Sequence, residues 1–165
     1  MAAVPSMLDF QIGEEKEFCQ TIAAMDWEYD GKNALTHPTT GVKVRLYIDA
    51  FADIISQSNI VVGMAGTAIE QAVGLGKPIV QIPGGGPQFT HHFAVSQMRL
   101  LGNSVRTIDD KTMPEKIAAA AEAIEDILQD TRYRNDCISY GIERVGHPGG
   151  ATEIAKQILT TIREK

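Results

Sequence analysis

The sequence predicts an α/β fold, a mostly parallel sheet with flanking helices, and three observations carry that expectation. Short runs rich in Val and Ile alternate along the chain with longer segments of helical period. The clearest case is Ser58 to Pro83, S-N-I-V-V-G-M-A-G-T-A-I-E-Q-A-V-G-L-G-K-P-I-V-Q-I-P. There Ile60 to Met64 and Pro78 to Ile82 are too brief for helices, and Ala65 to Leu75 between them has helical composition ending at Gly76. The third observation is bulk composition. At 165 residues, with 44% hydrophobic and 22% charged residues, the chain fits one globular domain with its own core.

The elements follow in order. Ala3-Val4 is a short strand-like run broken by Pro5 and Ser6, and Glu14 to Met25 reads as a helix through Phe18, Ile22 and Met25. Trp27 to Tyr29 is a short strand, Asp30 to Asn33 a turn, and Thr36 to Gly41 a second turn. Val42 to Tyr47 alternates apolar Val42, Val44 and Leu46 with Lys43 and Arg45, which suits a strand with one exposed face, an edge strand or a hairpin arm. Asp49 is placed to cap a helix through Phe51, Ile54 and Ile55. After the central unit, Gly84-Gly85-Gly86-Pro87 forms a loop, and Thr90 to Leu101 a helix with Phe93, Ala94, Gln97, Met98 and Leu101 at helical spacing. Ser104 to Ile108 is a strand. Thr112 and Glu115 have capping-box spacing ahead of a helix from Pro114 to Leu128 that buries Ile117, Ala121, Ile124 and Leu128. Asp130 or Thr131 caps the next helix, which carries Tyr133, Cys137, Tyr140 and Val145 and stops at His147-Pro148-Gly149-Gly150. The last helix, Ala151 to Ile162, runs through Ile154, Ile158, Leu159 and Ile162.

Composition also excludes some functions. The net charge of -6 disfavours a broad nucleic-acid or anionic-membrane surface, although a local anion site of backbone amides escapes that argument. No apolar run approaches the roughly 18 residues that span a bilayer. Cys19 and Cys137, without metal-ligand spacing, read as two reduced, partly buried thiols and suit a cytoplasmic setting. The N-terminus lacks the basic and apolar segments of a secretion signal. Met1 to Pro5 instead resembles a strand end running into a loop, as though the chain began inside a domain.

The sharpest local feature is Gly66-Thr67-Ala68-Ile69-Glu70. In an open α/β sheet, ligands sit outside the carboxyl ends of the strands, against helix N-termini. Small residues there admit a diphosphate to free amides, Thr67 offers a hydroxyl, and Glu70 can accept sugar hydroxyls. An ordinary capping box, Thr67 as N-cap and Glu70 at N3, explains the same residues equally well. Gly84 to Thr90 follows the next strand end, where Gln88 and Thr90 can hydrogen-bond a sugar or phosphate; a plain surface loop is the alternative. Neither the phosphate-binding P-loop nor the Gly-x-Gly-x-x-Gly fingerprint is present. His91 and His92 diverge by about 100° on a helix, and His37 and His147 are distant in sequence, so no metal site is expected. Asp49 and Asp53 read as cap and surface, and Arg132, Arg134 and Arg144 as surface residues.

Four segments in one order carry a family resemblance: Phe51 to Ile54; M-A-G-T-A-I-E-Q-A-V-G-L-G-K-P-I-V-Q-I-P-G-G-G-P-Q-F-T; Arg99 to Val105; and Glu143 to Ala151. Together they resemble the C-terminal domain of lipid-A-disaccharide-synthase-related proteins, glycosyltransferases of the two-Rossmann-domain (GT-B) class. The resemblance implies a Rossmann-like nucleotide-sugar-binding domain lacking its first strand and helix, with the N-terminal acceptor and catalytic domain outside this chain. Its final helix would cross back toward that domain. It implies a UDP-sugar as substrate, with Gly66 and Thr67 at the diphosphate, Glu70 on the ribose, and Gln88, Phe89 and Thr90 facing the sugar.

No cofactor, no obligatory metal and no catalytic residue are implied for this chain, and alone it is expected to be inactive. An acceptor hydroxyl, on a lipid or glycan, would displace UDP at the anomeric carbon, the turn amides stabilising the leaving diphosphate. Peripheral membrane association of the parent and non-native self-association of the isolated chain are further expectations. A UDP-N-acetylglucosamine 2-epimerase-like enzyme, or a non-catalytic nucleotide-sugar-binding protein, would share the same donor half.

Overall fold

The strand-forming residues fall into two separate sheets. A computed structural model of the protein describes residues 2–3, 27–30, 33–47, 49–85, 90–109 and 111–163, which group into two units, Met1–Gln57 and Ser58–Lys165. The helix expected over Glu14 to Met25, Cys19, Gln88 and Phe89 lie outside the described residues.

In the first unit, β1 (Ala2–Ala3), β2 (Glu28–Tyr29), β3 (Ala34–Thr36) and β4 (Lys43–Tyr47) form one sheet in the order β1-β4-β3-β2. β1 runs parallel to β4, but β2, β3 and β4 form an antiparallel meander. The hairpin-arm alternative for Val42 to Tyr47 is therefore the one adopted, and β3, which the sequence did not reveal, is its partner. Asp30 shapes the β2–β3 turn by accepting the Asn33 and Ala34 amides on Oδ1, both at 3.0 Å. His37 shapes the β3–β4 turn, its Nδ1 accepting the amides of Thr39 and Thr40 while its ring meets Trp27 edge-on at 5.2 Å. Helix α1 (Phe51–Gln57) follows, with Ile54 and Ile55 buried as expected. Its capping differs from expectation. Ala50 supplies the carbonyl for the first helical bond, and Asp49 precedes it in the left-handed region at φ 53°.

The second unit holds the parallel sheet, β5 (Val61–Gly63), β6 (Ile79–Gln81) and β7 (Val105–Thr107), in sequential order. Around it are α2 (Thr67–Gly74), α3 (His91–Leu101), α4 (Met113–Gln129), α5 (Thr131–Val145) and α6 (Gly150–Arg163), with a 3-10 turn at Gly102–Ser104. Each strand-helix-strand step is the crossover that a parallel sheet requires. Adjacent strand residues point to opposite faces, and two residues of β6 show that both faces are covered. Val80 packs with Ala120 and Ile127 of α4, whereas Gln81 hydrogen-bonds to Gln97 of α3. The architecture is thus α/β with a three-stranded parallel sheet between helices.

Two helices present faces that differ from the sequence expectation. On α4 the buried positions are Lys116, Ala120 and Ile127, with Ile124 and Ala123 partly buried; Ile117, Ala121 and Leu128 are exposed. The helix is rotated by about one residue, or roughly 100°, from the expected face. Lys116 tolerates burial because Nζ donates to the carbonyl of Pro83 at 3.2 Å. On α3, Ala94, Gln97 and Leu101 are buried as a set, but Phe93 points outward. The Thr112–Glu115 cap is present: the Glu115 carboxylate accepts the Thr112 amide at 3.0 Å and its hydroxyl at 2.6 Å. Asp130, the alternative to Thr131, caps α5 by accepting the Tyr133 amide at 2.8 Å. On α5, Cys137 is buried and Tyr133 and Tyr140 are partly so, while Val145 is exposed. The apolar stripe of α6, Ile154, Ile158, Leu159 and Ile162, forms on one helical side yet stays exposed.

Candidate site at the carboxyl ends of the parallel strands

Gly63, Gln81 and Thr107 stand side by side in register as the last residues of β5, β6 and β7. The turn 64–66 leaves β5 at this edge and delivers Gly66 as the N-cap of α2, at φ 95° and ψ -171°. A Cβ there would meet no atom within 4 Å, so the requirement for glycine is conformational rather than steric. Thr67 is consequently the first residue inside the helix and Glu70 the fourth. That geometry overturns the capping-box alternative, since the cap residue has no side chain and Glu70 lies one position too far along.

The turn is held by a residue whose sequence spacing places it only in the apolar stripe of α3. Gln97, 5% exposed, pairs its carboxamide with both polar groups of Gly66: Oε1 accepts the Gly66 amide at 3.2 Å, and Nε2 donates to the Gly66 carbonyl at 3.0 Å. Nε2 also donates to Glu70 Oε1 at 3.2 Å. Gln81 Nε2 donates to Gln97 Oε1 at 3.0 Å, and Thr107 Oγ1 donates to Gln81 Oε1 at 2.9 Å. A signal for this network was present in the sequence. Gln81 between Val80 and Ile82, and Gln97 among Ala94, Met98 and Leu101, are polar residues at core positions, which buried packing tolerates only with partners.

Gly66, Thr67 and Glu70 thus come together at one helix terminus. Thr67 is exposed and Glu70 half-buried. Thr90 sits on the neighbouring loop, where its hydroxyl caps α3 by accepting the Phe93 amide at 3.3 Å. Gln88 and Phe89, immediately before it, are among the undescribed residues. Lys116, also missed in the sequence, fixes the start of that loop through Pro83.

The remaining candidates are placed as follows. His91 opens α3 and is half-buried, with His92 and His147 exposed. Asp49 and Asp53 are exposed. Arg132 faces Asp136 at 3.9 Å, Arg144 faces Glu143 at 3.3 Å, and Arg134 donates to the Thr131 hydroxyl at 3.1 Å. Among the described residues, no group of three or more His, Cys, Asp or Glu is placed to hold a metal ion. A cavity of about 290 Å³ lies at the opposite ends of the strands, lined in part by Ser58, Asn59, Lys77, Pro78 and Arg134, and includes none of the predicted site residues. Among the described residues, no helix is long and apolar enough to cross a membrane.

The α2 terminus offers what an anion requires. The amides of Thr67 and Ala68 fall in the first helical turn, where no intrahelical acceptor exists, and the helix dipole adds to their positive character. The Gly66 amide is committed to Gln97. Gly66 therefore serves as the bend, and Thr67 supplies both an amide and a hydroxyl. No protein-family model, curated protein or solved structure matches this chain.

Proposed function

We propose that the second unit binds the nucleotide-sugar donor, a UDP-sugar, of a glycosyl-transfer reaction. The observation that carries the proposal is the Gly66 bend at the carboxyl end of a parallel strand, which opens first-turn amides to a diphosphate with Glu70 one turn behind them. The sequence resemblance to GT-B glycosyltransferases points the same way. In this reading the diphosphate rests on the Thr67 and Ala68 amides and the Thr67 hydroxyl. Glu70 accepts hydrogen bonds from hydroxyls of the nucleoside sugar, and Thr90 serves the donor sugar.

The chemistry proposed is substitution at the anomeric carbon. An acceptor hydroxyl oxygen, on a lipid or glycan, forms the new bond to that carbon as its bond to the diphosphate oxygen breaks. UDP departs with the electron pair, and the hydroxyl proton passes to a base. The contribution proposed for this chain is donor binding and stabilisation of the negative charge gathering on the leaving diphosphate by amides already oriented toward it.

A heteronuclear NMR titration with UDP tests this. Saturable shifts should cluster at Thr67 to Glu70 and at Thr90, and Glu70→Gln should weaken them. A folded chain showing no localised shifts at millimolar UDP refutes the donor-site assignment.

A further inference from the structure

A carboxamide has two acceptor lone pairs and two donor hydrogens, and each one left unpaired in a core is costly. Gln97 has all four occupied: Gly66 N–H and Gln81 Nε2 on the oxygen, Gly66 C=O and Glu70 Oε1 on the nitrogen. The directions are fixed in sequence. Gly66 has one donor and one acceptor, so its two-point pairing sets which way the Gln97 amide faces. That places an acceptor toward Gln81, which must then present its NH2 group. Gln81 in turn shows its oxygen to β7, where the Thr107 hydroxyl donates. Flipping either carboxamide would set like groups against each other across the Gln81–Gln97 bond.

We infer that Gln97 is the positioning residue of the donor site, with Gln81 and Thr107 as its support. It holds the Gly66 bend and occupies that residue's own amide, so the amides turned to a bound diphosphate are those of Thr67 and Ala68. It also engages Glu70 Oε1 and so fixes that carboxylate beside the turn. This inference rests on reading the turn as a donor site.

The test compares Gln97→Glu, Thr107→Val and Thr107→Ser in the full chain, with UDP as the probe. Gln97→Glu keeps shape but replaces a donor with an acceptor against the Gly66 carbonyl and Glu70; UDP affinity should fall about 10-fold or more. Thr107→Val removes only the far end of the chain of hydrogen bonds and should weaken UDP about 3- to 5-fold, with Thr107→Ser restoring it to within about 2-fold.

Without ligand, the Gly66 amide proton should shift upfield and the Gln97 side-chain NH2 should lose slow exchange in Thr107→Val but not in Thr107→Ser. A loss of stability alone would not produce that hydroxyl-dependent pattern. Wild-type protein that binds UDP, with Thr107→Val binding equally well and the Gly66 resonance unmoved, overturns the positioning role alone. Failure of wild-type protein to bind UDP overturns the donor-site reading, while the ligand-free Gly66 and Gln97 signals still decide whether the clamp exists.

Discussion

Replacing Gly141 with alanine sets two opposed effects against each other. Gly141 is buried in the interior of α5, where alanine is worth roughly 1 kcal/mol more than glycine by helix propensity alone. Yet an added Cβ would overlap the carbonyl oxygen of Val73 on α2 and lie 3.4 Å from the Gly76 nitrogen. Real Cβ atoms do not approach other heavy atoms within 3.0 Å, and a helix backbone cannot swing aside as a side-chain tip can. The two helices must separate by about 1 Å, an overpacking that costs roughly 1–3 kcal/mol. The same carbonyl accepts the Gly76 amide at 2.9 Å, and disturbing that bond costs about another 1 kcal/mol.

Steric strain should win over propensity, with a net loss of about 2 kcal/mol and a melting temperature lowered by roughly 4–8 °C. Thermal unfolding followed by circular dichroism measures this. Gly74→Ala is the control: its Cβ would meet only the Val145 side chain, at 3.1 Å, which can adjust. Gly141→Ala protein as stable as wild type, or more stable, would refute the claim that glycine is there for close approach. Because the clash falls on α2, the variant should also shift amide resonances from Thr67 to Gly74.

Two further outcomes concern ionisable groups, beside the UDP titration and the Gln97 series. Hydrogen bonds from the Thr112 hydroxyl and then its amide hold the Glu115 carboxyl below its ordinary value of 4.5. The folded state therefore gains from Glu115 ionisation above the unfolded value, and that gain is lost as pH falls through the lower folded one; Glu115→Gln should flatten acid unfolding in this window, measured by circular dichroism against pH. Burial raises the Cys137 thiol above its ordinary value of 9.0. In a Cys19→Ser background, Cys137 should resist a thiol reagent at pH 7 in native protein and react fully in denaturant, as read by mass spectrometry.

The sequence was most legible where one element satisfied its own pattern. β5, α2 and β6 are bounded by Gly and Pro and differ sharply in period, so their order and type followed from residues 58–83 alone. β3 was hidden because Ala34–Thr36 is three residues of ordinary composition, and only pairing with β2 and β4 makes it a strand. The face of α4 is ambiguous in sequence because its many alanines fit two adjacent stripes. Lys116 lies on the stripe that is buried, and its partner there is a carbonyl distant in sequence. At the candidate site, Gly66, Thr67 and Glu70 could be found from the turn at a strand end. Gln97 could not be assigned to them, since it reaches Gly66 across 31 positions.

That separation bears on when the turn acquires its shape. Gln97 arrives on the second crossover helix, and Thr107 on the strand after it. A nascent polypeptide released only as far as Pro83 would contain Gly66, Thr67 and Glu70 with two strands to pair, but not the carboxamide that clasps the bend. Local strand-helix-strand contacts close over short loops and can form early, whereas this clasp waits for the next segment to dock. The shape of the α2 turn should therefore be completed only once the chain has been made through Thr107.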